Sequence, residues 1–233
     1  MGGIPGMDGE PVVVERVAGT GGELVLRRAG EHLEIIGNGV FLMDTRNGES
    51  ERLLVRAAVA GLRAPVRLLI GGLGVGFSLA EALLLPQVAQ VTVVERERAV
   101  IGWHRTLLCP WSRGALDDPR VTLEHADLLD VVADPATGPF DALCLDIDNG
   151  PDWTVTPDNA RLYGPEGLEL LAARLTHRGV LAVWSANTAP RFEALLRERF
   201  ARVEARRVPV PRGEPDIVYL AREALPAAGL TPA

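Results

Sequence analysis

A chain of 233 residues can bury a substantial core, and this length favours one domain with at most a small appendage. The net charge of −7 argues against a nucleic-acid backbone as partner and is compatible with a cationic one. All 24 basic residues are arginine, so the P-loop, pyridoxal and Schiff-base chemistries that need a lysine are excluded. No stretch reads as a membrane span. Residues 1–10 are glycine-rich and lack the basic and apolar regions of a secretory signal, which predicts a flexible start in a cytoplasmic protein. Cys109 and Cys144, the only cysteines, are expected to be reduced thiols, and the four scattered histidines predict no metal site.

In chain order, short strand-like runs come first, at Val12 to Val17, Glu23 to Arg28, His32 to Ile36 and Val40 to Met43. Gly21-Gly22, Ala29-Gly30 and Gly37-Asn38-Gly39 punctuate them as in an antiparallel meander or hairpin pair. A helix is expected over Glu49 to Leu62, with Leu53, Leu54, Ala57, Ala58 and Leu62 on its apolar face. From Val66 onward strands and helices alternate, the pattern of a doubly wound α/β sheet. Strands are predicted at Val66 to Ile70, Val91 to Val94, Val121 to His125, Phe140 to Asp146 and Gly179 to Ser185, and then at Val203 to Val210 and Ile217 to Ala221. The intervening helices fall at Phe77 to Leu85, Arg98 to Leu107, Leu128 to Ala133, Gly164 to Leu175 and Arg191 to Phe200.

The chemistry concentrates after the first of these α/β strands. Gly72, Gly74 and Gly76 follow an apolar run directly, a spacing that permits a tight turn, close backbone approach to a ligand and close packing of the next helix. The next strand ends in Glu95, where a carboxylate can accept hydrogen bonds from ribose hydroxyls. Asp127 follows the third strand, with the helix-cap role that such a position allows standing beside a ligand role. Asp146 ends an apolar strand at the sheet edge where ligands enter α/β folds, and Asp148 points to the same side if the extended conformation persists. The polar run Asp146-Ile-Asp-Asn-Gly-Pro151 also suits a plain turn.

Over residues 12–222 the chain resembles the spermidine synthase-like branch of the class I S-adenosylmethionine-dependent transferases. The resemblance is carried by the β-rich entry, the glycine loop with Glu95, the Leu116-Asp-Asp-Pro-Arg-Val121 segment leading to Ala126-Asp127, and Phe140-Asp-Ala-Leu-Cys-Leu-Asp146. It implies a mostly parallel seven-stranded Rossmann-like sheet with a small antiparallel β region. The organisation expected is a flexible N-terminus (1–10), a β-hairpin or meander region (11–48), a nucleoside-binding catalytic domain (49–223) and a flexible tail (224–233).

The resemblance further implies that Gly72, Gly74, Gly76, Glu95, Asp127 and Leu128 bind an adenosyl sulfonium, either S-adenosylmethionine or its decarboxylated form, as co-substrate. Asp146 would take part in amine activation and Asp148 would assist, for a small acceptor, an amine by this reading, in a homodimer. Asn149, Trp153, Tyr163 and Glu49 are the acceptor-side candidates, the aromatic pair either as walls of a lid formed by Pro151 to Pro165 or as anchors of that loop to the domain. Three positions depart from the branch. Gly74 stands where polyamine aminopropyltransferases typically carry an aspartate, so the intact methyl donor stays open beside the decarboxylated one. Asp44 to Leu53 offers acids, among them Glu49 and Glu51, without the usual tyrosine and histidine, and Asn149-Gly-Pro-Asp-Trp replaces a more common serine or threonine with a further aspartate. A small-molecule methyltransferase and a non-catalytic nucleoside-binding protein are the competing readings, with a nicotinamide-dependent oxidoreductase behind them.

Overall fold

The computed structural model describes residues 10–211 and 213–226. Most of the expected N-terminal segment and the end of the expected tail lie outside the described residues.

An antiparallel meander opens the chain, with β1 (Val12–Gly19), β2 (Gly22–Ala29), β3 (His32–Gly37) and β4 (Val40–Asp44) paired in that order. Two of its three turns hold Gly30 and Gly39 at positive φ. Helix α1 (Glu49–Val59) follows, and Gly61 at φ +83° ends it before the predicted Leu62.

The second sheet has seven strands. They are β5 (Val66–Gly71), β6 (Val88–Glu95), β7 (Val121–His125), β8 (Phe140–Leu145), β9 (Leu175–Ser185), β10 (Phe200–Val208) and β11 (Asp216–Ala224). Their spatial order is β10-β11-β9-β8-β5-β6-β7, parallel from β9 to β7 and antiparallel where β11 pairs with β9 and β10. The helices between them are α2 (Phe77–Leu84), α3 (Arg98–His104), the short α4 (Cys109–Ser112), α5 (Leu128–Ala133), α6 (Pro165–Ala173) and α7 (Pro190–Arg199). The strand predicted over Val203 to Val210 starts earlier and stops at Val208, because antiparallel pairing with β11 runs only from Phe200 to Val208.

The strands alternate strictly between two cores, as period-two geometry requires of a sheet buried on both faces. Leu68, Ile70, Val91, Val93, Ala142, Cys144, Val180, Ala182, Val218 and Leu220 face α1, α2 and α3. Leu69, Val94, Leu143, Leu145, Leu181, Val183, Ile217 and Tyr219 face α5, α6 and α7. Leu24, Leu26, Leu33 and Ile35 of the meander join the first core, so the small β region packs as part of the same body. Both thiols are free, and burial pushes that of Cys144 upward, which leaves it an inert core residue. Among the described residues no helix is long and apolar enough to cross a membrane.

Candidate functional site

The parallel strands end in a cleft of about 1360 Å³, walled by the meander, the glycine loop and the segment after β8. At one end lies the turn between β5 and α2. Gly72 has φ +90°, and a Cβ there would stand 2.2 Å from the Asp146 carbonyl oxygen, so only glycine lets the two strand ends meet. Glu95 fixes this turn from β6: one carboxylate oxygen accepts the Leu73 N–H at 2.8 Å, the other the Glu97 N–H at 2.7 Å. Burial raises its carboxyl pKa, and those two N–H groups act against the rise. Each oxygen keeps a lone pair for a further donor on the cleft side. Asp127 caps α5 by accepting from Leu129 N at 2.8 Å, and it lines the cleft beside Leu128. Gly76 lies outside the lining: it precedes α2 at φ +90° and brings the turn against His104 and Ser112.

At the other end three carboxyls converge. Asp146 follows β8 and is held by its N–H to the Gly71 carbonyl, with the Ser78 hydroxyl 3.5 Å from its carboxylate. Burial first, and then the negative neighbours Glu51 and Asp216, push its pKa well above the ordinary range. Glu51 arises from α1 and is only 7% exposed, and burial raises it to about 7. Asp216 opens β11, and burial raises it too, against the Ser50 hydroxyl and the nearby Trp184 indole. Ser50 Oγ stands 2.9 Å from Glu51 and 2.7 Å from Asp216. One hydroxyl has one proton to donate, so both contacts are favourable only when one of the two carboxyls is itself protonated. The pair therefore retains a proton. Among the described residues no cluster of three His, Cys, Asp or Glu side chains is arranged to hold a metal ion.

The segment after Asp146 covers the cleft, and its residues divide differently from expectation. Asp148 turns to the covering loop, accepting from Val155 N at 2.9 Å and Asn159 Nδ2 at 2.8 Å, so both of its oxygens hold that loop. Asn149 lines the cleft while donating to the Phe41 carbonyl at 3.1 Å. Trp153 lines it with half its surface exposed. Two acceptor-side expectations are corrected. Tyr163 is buried away from the cleft, edge-on to Phe192 at 5.6 Å, because the 3-10 turn Pro157–Tyr163 rolls its ring into the second core. Glu49 lies on the solvent side of α1, paired with Arg56, whereas Glu51, two residues and roughly 200° further round the helix, faces inward. The sequence flagged Glu51 only as a partial substitute and did not single out Ser50 or Asp216.

Gly74 lines the cleft at φ +50°, and a Cβ there would meet Met43 Sδ at 2.3 Å. Met43 reaches from β4 across the loop, its sulfur 3.2 Å from the Val75 N–H. We expect Gly74→Asp to lower the unfolding free energy by about 1–3 kcal/mol through this overlap and the left-handed backbone. Urea denaturation of Gly74→Asp with and without Met43→Ala separates the two sources, and recovery in the double variant assigns the loss to the sulfur.

This fold and cleft define a Rossmann-like domain of the class I S-adenosylmethionine-dependent transferase type. A solved spermidine synthase, in complex with the transition-state analogue AdoDATO, superposes with a TM-score of 0.76 at 18% identity, covering 91% of this chain and 74% of that one. The chain is 34% identical over 165 residues to a polyamine aminopropyltransferase of Mycobacterium tuberculosis, and 33% over 171 residues to polyamine aminopropyltransferase 2 of Pseudomonas aeruginosa. These matches take in 69% and 68% of the chain but 30% and 46% of the relatives, so the chain spans less than half of either. No family model matches it. Within the class the chain is spermidine synthase-like, homologous to the polyamine aminopropyltransferases.

Proposed function

We propose that the chain transfers an aminopropyl group from decarboxylated S-adenosylmethionine to a small amine. The observation that carries this reading is the convergence of Glu51, Asp146 and Asp216 at the cleft end opposite the Glu95 turn. Three converging carboxyls, two of them sharing one retained proton at Ser50, favour ammonium groups and repel a carboxylate, which selects against the intact donor even though Gly74 itself would tolerate it. In the proposed step the acceptor nitrogen lone pair attacks the methylene carbon bonded to sulfur. The carbon–sulfur bond breaks, its electron pair leaves on sulfur as the neutral thioether of 5′-methylthioadenosine, and the nitrogen proton passes to Asp146. Alignment of nitrogen and carbon supplies most of the rate, with Asp146 as proton acceptor.

At the nucleoside end, the free lone pairs of Glu95 would accept the ribose hydroxyls. Gly72 and Gly74 would admit the donor's backbone-side edge, and Asp127 with Leu128 would flank the adenine. Glu95→Gln is expected to weaken 5′-methylthioadenosine binding by about tenfold, measured calorimetrically, because a charge-assisted acceptor becomes a neutral one. Asn149 and Trp153 are the acceptor-side residues that remain.

Mass spectrometry of products, from parallel incubations of a diamine with the intact and the decarboxylated donor, tests the reaction. About one added aminopropyl group per acceptor from the decarboxylated donor supports the proposal, since group transfer conserves that unit. A methylated amine from the intact donor overturns it in favour of a methyltransferase, and tight nucleoside binding without turnover favours a non-catalytic protein. A cytoplasmic homodimer completes the reading. Its support is the β1 edge of the meander, where Val12, Val13 and Val14 are 65%, 49% and 38% exposed, a strand edge suited to pairing with a second copy.

A further inference from the structure

The two residues after Glu95 are not used by the proposed chemistry, yet they join two of the segments that wall the cleft. Arg96 Nη2 donates to Thr156 Oγ1 at 3.0 Å, and Nη1 lies 3.5 Å from Asn159 Oδ1 and 3.4 Å from Asp127 Oδ2. Thr156 and Asn159 belong to the loop that Asp148 also holds. Glu97 accepts the backbone N–H groups of Thr20 and Gly21, each at 2.8 Å, at the turn between β1 and β2. That turn sits tight against the same junction: a Cβ on Gly21 would meet Arg96 Nη2 at 2.3 Å and Thr156 Oγ1 at 2.9 Å.

We infer that Arg96 and Glu97 are positioning residues that pin the covering loop and the β1–β2 turn to the strand bearing Glu95, so that filling the nucleoside end orders the amine end. The inference rests on the nucleoside reading of the Glu95 turn. Its physical basis is that Arg96 shares one guanidinium between Asp127 and the loop, while Glu95 and Glu97 are joined through the Glu97 N–H. A ligand that fixes Glu95 and Asp127 thereby fixes both groups that hold the covers. Without the guanidinium, Thr156 loses its Arg96 hydrogen bond and the loop's remaining side-chain hydrogen bonds are those to Asp148.

Hydrogen exchange of the full chain, with and without 5′-methylthioadenosine, tests this. In the wild type the nucleoside should slow exchange of the amides in residues 151–159 and of Thr20 and Gly21. Arg96→Met should bind the nucleoside within about threefold of wild type by calorimetry, yet exchange the loop amides about tenfold faster and without response to nucleoside. Arg96→Lys, which keeps one donor, should restore part of the response, and Gly21→Ala, which displaces the guanidinium, should reproduce the loss. Wild-type exchange behaviour in Arg96→Met overturns the inference, as does an equal loss of nucleoside affinity, which would make Arg96 simply a wall of the pocket. Failure of the wild type itself to bind the nucleoside overturns the underlying reading and is told apart by the same calorimetry.

Discussion

Asp146→Asn is expected to lower turnover by about 10²–10⁴-fold, the range over which a positioned proton acceptor acts, while nucleoside affinity stays close to wild type. The asparagine preserves volume, and its backbone N–H still bonds the Gly71 carbonyl, so the strand end and glycine turn keep their geometry. What it loses is basicity. Burial and the charges of Glu51 and Asp216 raise the Asp146 pKa well above the ordinary carboxyl value, which makes its anion a far better proton acceptor than a surface aspartate. Because the base works only when deprotonated, the wild-type rate should climb with pH as Asp146 ionises, and Asp146→Asn should lack that limb. A rate profile that is the same in both proteins would remove Asp146 from proton transfer.

Glu51→Gln and Asp216→Asn should each weaken diamine binding by about 10–100-fold and yet stabilise the protein at alkaline pH when no diamine is added. Glu51 is raised from 4.5 to about 7, so the folded chain holds this proton more tightly than the unfolded chain does. The stability associated with it is fully present below 4.5 and is lost as pH rises through about 7. A glutamine cannot ionise and escapes that loss. The melting temperature of Glu51→Gln should therefore match wild type near pH 4.5 and exceed it by about 2–6 °C at pH 8, judged from the usual entropy of unfolding. Asp216→Asn should move in the same direction, since it relieves the same shared proton at Ser50. A difference that is flat in pH, or of opposite sign, would show that these carboxyls ionise as freely as surface ones.

The geometry of the Glu95 end of the cleft was legible in the sequence because its parts are local. A strand, a glycine turn, a helix and a strand-ending acid fall within one short stretch, and each follows from backbone geometry that the residues announce. At the other end, Asp146, Asn149 and Trp153 were legible as cleft-lining residues, and the carboxyl neighbours of Asp146 were not. Glu51 and Glu49 look alike in sequence, and the phase of α1 alone decides which one turns inward. Asp216 carries no motif, and it reaches the site because β11 runs antiparallel to its neighbours: it begins where the parallel strands finish. For Tyr163 the sequence left a ligand wall and a loop anchor both open. An aromatic in a polar loop suggests a ligand wall, but the Pro157–Tyr163 turn delivers it to Phe192.

The antiparallel placement of β11 also sets an order of assembly during synthesis. A chain extended only through β10 already contains the glycine turn, Glu95, Asp127 and Asp146, together with α1 and its Glu51. What it lacks is the strand that inserts between β9 and β10 and brings Asp216 to Ser50. The Glu95 end of the cleft is thus encoded ahead of the carboxyl cluster, whose charge balance is completed only when β11 has been made.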